Sequence, residues 1–340
     1  MVKNKFKILF ISFFTLVIFP AGSGFLFFQE ISSFIKTPFN PTAAEKVFLI
    51  EQGQSLAVIA KNLETESIIS NKTYFKLFVK YTKAEKKLQA GEYSLSASNS
   101  PEQILEVLVK GKVKLYRITI PEGMNIKEIA SVVKMAGFCS KDRFIALCHD
   151  KTFILSLGIK ATSLEGYLFP DTYFFPKHTS CQTVINTMVV HFNAVFTKKW
   201  QKQAKTMGFS VHEIVTLASI IEKETGDARE RPLISSVFYN RLKKNMRLES
   251  DPTVIYGIKN FDGNIKRKHL NMVTPYNTYQ IKGLPLGPIA NPGALSLQAA
   301  LNPAHTEYLF FVSKKDTTHQ FSKTVQEHNR AVKQYQLKKK

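Results

Sequence analysis

The chain has 340 residues, and its 47 Lys and Arg against 26 Asp and Glu leave a net charge of +21. Hydrophobic residues make up 44% and charged residues 21%, an ordinary globular composition that argues against global disorder. This length predicts about two folded units, and the basic excess favours an anionic partner such as nucleic acid, anionic lipid or a cell-wall polymer.

The N-terminal residues predict a membrane anchor followed by a linker. Residues 8–29 carry no charged side chain, and this run of 22 positions is long enough to cross a bilayer as a helix. Three lysines precede the run, which predicts a cytoplasmic tail (1–7) and a single-pass inner-membrane protein with a periplasmic body. A cleaved signal peptide, with a shorter apolar region, is the alternative. Residues 30–44 are predicted to be a linker, and the exported topology argues against nucleic acid.

Two segments repeat with an offset of 70 residues. Residues 47–60 read VFLIEQGQSLAVIA, and residues 117–130 read RITIPEGMNIKEIA. Each copy predicts a short strand, a turn at glycine and an amphipathic helix with a polar N-cap. Such a unit resembles a LysM module, which binds N-acetylated glycans, and a generic βα unit is the alternative. We therefore assign a LysM-like domain to residues 45–115, and the second copy opens a larger domain at 116–340.

The most informative element is a helix predicted for Val211–Thr225. Ser210 and Glu213 form an S-x-x-E capping box, and a glycine follows the expected helix end. The helical apolar stripe continues onto Glu222, whereas Lys223 and Glu224 are expected to turn away. Partial burial and the negative end of the helix dipole both disfavour an ionised Glu222, and a general acid must hold its proton near neutral pH. A solvated, charged helix end is the alternative.

Three segments around this helix combine tyrosines and amides with few charges. They read EGYLFPDTYFFP (165–176), DPTVIYG (251–257) and TPYNTYQIKGLPLGPIANPG (274–293). The last holds four of the fourteen Pro and a single charged residue, so it is too stiff and apolar for a disordered loop. Aromatic faces and amides of this kind suit a neutral sugar, and a core-packing role is the alternative.

Signatures of several other protein classes are missing. His212-Glu213 begins like a zinc-protease motif, but Thr216 stands where the second His is needed. Phosphate-loop, dinucleotide and serine-hydrolase glycine patterns are also missing, and the sequence predicts neither a metal nor a cofactor. The three cysteines allow at most one disulfide. Cys139–Cys148 is the local candidate, and three buried free thiols are the preferred interpretation.

Several long motifs in order identify a family resemblance. They are EGYLFPDTY (165–173), LASIIEKET (217–225), VFYNRL (237–242), MRLESDPTVIYG (246–257), YNTYQIKGLPLGPIANPG (276–293) and HQFSKTVQEHN (319–329). The chain resembles the endolytic murein transglycosylases, or YceG-like proteins, from the N-terminal anchor to the C-terminus. One departure is Glu249, where the family commonly has Gln, and it weakens the assignment of a role to Asp251.

The resemblance implies both an activity and a catalytic residue. The family cleaves the MurNAc–GlcNAc bond within nascent peptidoglycan strands, leaves 1,6-anhydroMurNAc ends and is linked to the peptidoglycan synthases. The first Glu of its ASIIEKE motif, here Glu222, is the catalytic residue. The candidates for glycan contacts are Glu165, Tyr167, Asp251, Tyr256, Asn277 and Tyr279. The overall expectation is an α+β fold.

Two alternatives stay open on the sequence alone. A hydrolytic muramidase would use Glu222 as the acid and Asp251 or Glu165 as a second carboxylate. A non-catalytic scaffold would only bind wall glycan. Product analysis separates the two enzymes, because a hydrolase leaves a reducing end.

Overall fold

The computed structural model describes residues 26–258 and 261–337 and has the α+β class that the sequence predicts. Most of the predicted anchor at 8–29 lies outside these residues, and residues 26–36 form helix α1. Among the described helices, none is both long and apolar enough to cross a membrane. Contacts divide the chain into a first unit ending at Tyr116 and a second unit beginning at Arg117, so the boundary falls within the strand Leu115–Thr119, which is described with the second unit.

The first unit has a strand–helix–helix–strand order followed by one more helix. Its elements are β1 (Lys46–Ile50), α2 (Leu56–Thr65), α3 (Lys72–Tyr81), β2 (Gly91–Leu95) and α4 (Pro101–Lys110). β1 and β2 are antiparallel, and Phe48 pairs with Tyr93. Both side chains are fully buried, because alternate positions of this small sheet face α2 and the rest of the core. The LysM-like character of this unit stays a prediction.

The second unit contains most of the helices. Its elements are β3 (Leu115–Thr119), α5 (Ile126–Met135), α6 (Lys141–His149), α7 (Lys151–Ser156), β4 (Thr172–Pro176), α8 (Cys181–Val195), α9 (Lys198–Thr206), α10 (Val211–Glu224), α11 (Arg231–Lys243), α12 (Asp251–Gly257), α13 (Arg267–Leu270), α14 (Ala294–Leu301), β5 (Phe310–Ser313), β6 (His319–Ser322) and α15 (Val325–Val332). β3 pairs with β4, β5 pairs with β6, and a π-helical turn, Lys333–Leu337, follows α15.

Both copies of the sequence repeat form the predicted strand, turn and helix. In each copy the glycine after the strand has a left-handed backbone, with φ of 82° at Gly53 and 77° at Gly123. The predicted caps are confirmed, because Ser55 accepts a hydrogen bond from the first turn of α2 and Asn125 does so for α5. The two helices therefore begin at fixed points, and the second turn carries residues of the candidate site.

Helix α10 is the central element of the second unit. The predicted capping box between Ser210 and Glu213 is confirmed, and the helix ends within one residue of the predicted position. It stops where Thr225 becomes extended, rather than at a left-handed glycine. Residues 214–221 are all buried, not only one stripe, because α9, α11, α12 and α14 pack around the helix. The last turn, with Glu222, is thus held by a rigid core.

The cysteine prediction was wrong. Cys139 and Cys181 form a disulfide, and Cys148 is a buried free thiol. Cys139 lies in the turn between α5 and α6, and Cys181 is the first residue of α8. Cys148 is fully buried in α6 and points into the core, so it cannot reach its local neighbour. Burial raises the pKa of its thiol well above the usual range, so the group behaves as a small apolar side chain.

The last elements of the chain pack at the edge of the second unit. β5 is only half-buried, since it pairs with a single neighbour, β6. α15 begins at Val325, because Thr324 and Glu327 form a capping box.

Candidate active site

Glu222 lies in the last turn of α10 and is held from two sides. Its Oε1 accepts a hydrogen bond from Arg231 Nη2 at 3.1 Å, and its Oε2 accepts one from the Gly293 backbone N–H at 2.9 Å. The side chain is only 6% exposed. Arg231 begins α11 and Gly293 precedes α14, so three elements meet at one carboxylate. The arrangement fixes the direction of both oxygens.

A second carboxylate, Glu122, shares the same arginine. Its Oε2 lies 3.7 Å from Arg231 Nη2, and a Cβ added at Gly293 would overlap its Oε1. The side chain is 48% exposed, so the site is open to solvent on this side. Burial, followed by the charge of Glu222, raises the pKa of Glu122, and Arg231 opposes that shift.

The turn that carries Glu122 is tied to the end of α10. Lys223 Nζ donates to the Gly123 carbonyl oxygen at 3.3 Å, and the Gly123 backbone N–H donates to the Asn291 carbonyl oxygen at 2.9 Å. The Asn291 N–H in turn donates to the Met124 carbonyl oxygen at 2.8 Å. Glu122 therefore approaches Arg231 from a fixed backbone.

A buried carboxyl lies beneath this turn. Glu165 accepts hydrogen bonds from the Ile126 N–H at 3.1 and 3.2 Å, from Asn291 Nδ2 at 3.0 Å and from the Tyr256 hydroxyl at 2.9 Å. Asn291 Nδ2 also donates to the Met124 carbonyl oxygen at 2.9 Å. Both Glu165 oxygens are occupied by protein donors, so this carboxyl supports the turn from inside the core.

Burial raises the pKa of Glu165 to about 7, although its three donors act in the opposite direction. The folded state therefore holds a proton that the unfolded chain releases near pH 4.5, and stability falls as pH rises from about 4.5 to about 7. Between pH 5 and pH 8, the unfolding free energy of Glu165→Gln should fall by about 2 kcal/mol less than that of the parent. Urea unfolding at both pH values measures this.

Asp142→Asn is the matched control for that measurement, because Asp142 is an exposed carboxylate of the same unit. It should keep the parent's pH dependence. Glu224, a partly buried carboxyl whose pKa burial also raises to about 7, leaves a residual slope in every variant. A Glu165→Gln slope equal to that of the parent would show that Glu165 is already ionised in the folded state at pH 5.

The other predicted contact residues lie in four places. Tyr256 donates to Glu165, and its ring packs edge-on against Tyr276 with centroids 4.8 Å apart. The buried Tyr167 hydroxyl lies 2.9 Å from His212 Nδ1 at the start of α10, ten residues and about 15 Å along the helix from Glu222. Tyr167 is therefore far from that carboxylate.

Asn277 is a buried clamp within its own loop. Its Nδ2 donates to the carbonyl oxygens of His269, Leu270 and Met272, and its Oδ1 accepts from the Tyr279 N–H. The residue is 1% exposed. Every polar atom of the amide is used, so the geometry favours loop stabilisation over sugar recognition. A role for Asn277 in glycan contact stays a prediction.

Asp251 and Tyr279 face a separate polar pocket of about 250 Å³. The Tyr279 hydroxyl donates to Asp251 Oδ1 at 2.8 Å. Glu224 lines the same pocket and accepts a hydrogen bond from Ser250, so the expectation that it turns away was wrong. Glu249 pairs there with Arg241 at 2.9 Å. The structure thus brings neither Asp251 nor Glu165 into direct contact with Glu222.

Sequence reasoning missed Glu122, Arg231 and Asn291. Glu122 stands in the repeat, beside a glycine that aligns with Gly53, and a polar residue beside a tight turn was the available signal. Asn291 lies in the proline-rich segment that was noted for its amides. Arg231 carried no local signal, because its proximity to Glu222 depends on how α11 packs against α10.

In the described parts of the chain, no three His, Cys, Asp or Glu side chains are placed to hold a metal ion. The groups at this site are the oriented Glu222 carboxyl, the buried Arg231 guanidinium, the Gly293 N–H donor and the more exposed Glu122 carboxyl. A carboxyl held in this way can give up and retake a proton beside a bound molecule.

Comparisons with known proteins agree on one family. The model of the YceG-like family matches residues 48–334. An endolytic murein transglycosylase of Bacillus subtilis (strain 168) is 37% identical over 303 residues, which are 84% of this chain and 83% of that protein. One of Streptococcus pneumoniae serotype 2 (strain D39 / NCTC 7466) is 29% identical over 335 residues, which are 89% of this chain but 60% of that protein.

A solved structure is also similar. The crystal structure of a yceG-like protein of Listeria monocytogenes has 35% sequence identity and a TM-score of 0.59, over 84% of this chain and 98% of that one.

Proposed function

Because this chain belongs to the YceG-like family, we propose that it is an endolytic lytic transglycosylase of peptidoglycan. It cleaves MurNAc–GlcNAc bonds within nascent glycan strands and leaves 1,6-anhydroMurNAc ends. The observation that carries the proposal is the Glu222 carboxyl, oriented at the end of a buried helix by Arg231 and Gly293. This is the residue that the family motif marks as catalytic.

The reaction needs only one proton-transfer group from the protein. Protonated Glu222 gives its proton to the glycosidic oxygen as the bond from the MurNAc C1 to that oxygen breaks. The MurNAc C6 hydroxyl oxygen then bonds to C1, and its proton passes to the Glu222 carboxylate. Since the nucleophile belongs to the substrate, no water is consumed and Glu222 ends in its starting state.

The surroundings of Glu222 support this role. The hydrogen bonds from Arg231 and Gly293 limit the rotamers of the carboxyl, so it meets the glycosidic oxygen in one orientation. The half-exposed side of the site, at Glu122, is where the strand would enter. We place the glycan contacts of Tyr256 near this site, and those of Asp251 and Tyr279 at the neighbouring pocket.

We also propose that the protein is anchored in the bacterial inner membrane by residues 8–29, with its N-terminus in the cytoplasm and its body outside. The uncharged run and the preceding lysines support this placement. The LysM-like domain, 45–115, would hold the strand, and its strand–helix–helix–strand order is compatible with that role. Action on nascent strands implies work beside the peptidoglycan synthases.

Product analysis tests the reaction class. The full-length chain, incubated with uncrosslinked glycan strands, should release fragments whose new MurNAc ends are lighter by one water than reducing ends, as mass spectrometry can show. Reducing ends would instead indicate a hydrolytic muramidase. Its second carboxylate would be Glu122, which shares Arg231 with Glu222. If the wild-type chain binds strands but releases no fragments, it is a scaffold.

A further inference from the structure

We propose that Glu122 and Arg231 are positioning residues that control whether Glu222 holds the proton it must donate. Arg231 alternates between two carboxylates, and its transfer to Glu122 leaves Glu222 free to act as an acid. The inference deepens the proposed function and rests on Glu222 being the proton donor. Neither residue was marked by the family motifs.

The first argument is the geometry of the shared guanidinium. Arg231 Nη2 lies 3.1 Å from Glu222 Oε1 and 3.7 Å from Glu122 Oε2. A guanidinium at hydrogen-bond distance favours the ionised form of its carboxylate partner. In this arrangement the guanidinium is paired with Glu222, whereas the first step of the proposed reaction needs a proton on that carboxyl. A movement of less than about 1 Å by the guanidinium would exchange the partners.

The second argument is that Arg231 is incompletely satisfied. Its side chain is 7% exposed, and its Nε is buried without a hydrogen-bond partner among the described residues. Buried donors normally have hydrogen-bond partners. The unpaired Nε therefore indicates that Arg231 gains from an arrangement with more acceptors than this one. Re-pairing with Glu122 offers the guanidinium another acceptor that already lies beside it.

The third argument is that only side chains need to move. The turn bearing Glu122 is fixed through Gly123, Met124 and Asn291, and Arg231 stands on the first turn of a helix. Glu122 itself is half-exposed, and within residues 26–258 and 261–337 its ion-pair partner is this arginine. Both carboxylates can therefore be reached by one guanidinium on a rigid frame.

Three further charged groups lie by Glu222 or by Arg231. Arg231 Nη2 donates to Glu222 Oε1, and the Glu122 carboxylate lies 3.7 Å from the same Nη2. Lys223 holds the Gly123 carbonyl oxygen from the same helix turn. Asp227 also attracts Arg231, but it is paired with Arg229 at 2.8 Å, which is the larger influence on its lowered pKa. Glu122 is therefore the group best placed to draw Arg231 away.

The test compares the pH dependence of kcat/KM for the full-length chain and its variants. Activity that needs a protonated Glu222 is lost as pH rises, and this loss defines an alkaline limb. Glu122→Gln removes the competing charge, so the limb should move to lower pH by about one unit. Glu122→Asp keeps the charge and should keep most of the limb's position. Asp142→Asn, an exposed carboxylate of the same unit, should leave the profile unchanged.

Arg231→Gln should move the limb in the opposite direction, and its circular dichroism spectrum must match the parent's for that result to count. A merely structural role for Glu122 would lower the rate equally at every pH. An unmoved or upward-moved limb in Glu122→Gln, or complete loss at every pH, overturns the inference. Glu222→Gln tests the proposed function separately. If Glu222→Gln abolishes cleavage while the alkaline limb of Glu122→Gln stays at the parent's position, only this inference is rejected.

Discussion

Glu222→Gln is expected to lower the rate of glycan-strand cleavage about 1,000-fold, since the amide can neither donate a proton to the glycosidic oxygen nor accept one from the C6 hydroxyl. The substitution preserves the size of the side chain, and an amide oxygen can still accept the hydrogen bond from the Gly293 N–H. Binding of glycan strands should therefore survive. Fragment release from uncrosslinked strands, followed by chromatography over time, measures the loss.

Glu213→Gln is the matched control for that experiment. Glu213 lies on the same helix as Glu222 but in its first turn, where glutamine can replace glutamate in the capping box. Its activity should stay within about twofold of the parent's, because capping differences of this size are below about 1 kcal/mol. A Glu222→Gln protein with more than about a tenth of parental activity would remove this residue from the mechanism.

Gly166→Ala is expected to destabilise the second unit by about 3 kcal/mol. Gly166 has a φ of 87°, and a Cβ there would lie 2.6 Å from both Pro288 Cγ and Val215 Cγ1. Backbone strain and overpacking therefore act together, and they act where the 165–176 segment meets α10 and the proline-rich loop. Urea unfolding at constant pH measures the free-energy change.

Gly208→Ala separates the two contributions. Gly208 has nearly the same φ, 81°, but an added Cβ there meets no atom within 4 Å among the described residues. Its cost should be the backbone strain alone, about 1 kcal/mol. Equal destabilisation by the two substitutions would mean that Pro288 and Val215 move aside at no cost in free energy. The close packing around Gly166 would then not contribute to stability.

Local signals in the sequence were sufficient for the helix that carries the site. The start of α10 follows from the capping box of Ser210 and Glu213, which act within one turn, and the helix ends one residue before the predicted Thr225. The repeat predicted the turn at Gly123 in the same way, because a left-handed glycine and a following N-cap are features of neighbouring residues. Periodicity also placed Glu222 against the protein rather than in solvent.

Tertiary contacts explain what the sequence did not predict. Gly293 and Glu122 lie 71 and 100 residues from Glu222 along the chain, and only the packing of α14 and α5 brings them there. Asn277 is predicted to contact sugar because its residue type suits that role, and the structure adds that its amide is hydrogen-bonded within its own loop. Amino-acid type indicates what a side chain can do, and the fold decides which partner it meets.

The Cys139–Cys181 bond also bears on where this protein matures. Disulfides of this kind persist in oxidising compartments and are rare in the cytosol, where thiol pools keep cysteines reduced. Closing a loop between residues 42 apart stabilises a domain by about 4 kcal/mol in the chain-entropy model. A chain kept in a reducing compartment would lack that contribution, so recombinant preparation should use an oxidising route to reach full stability.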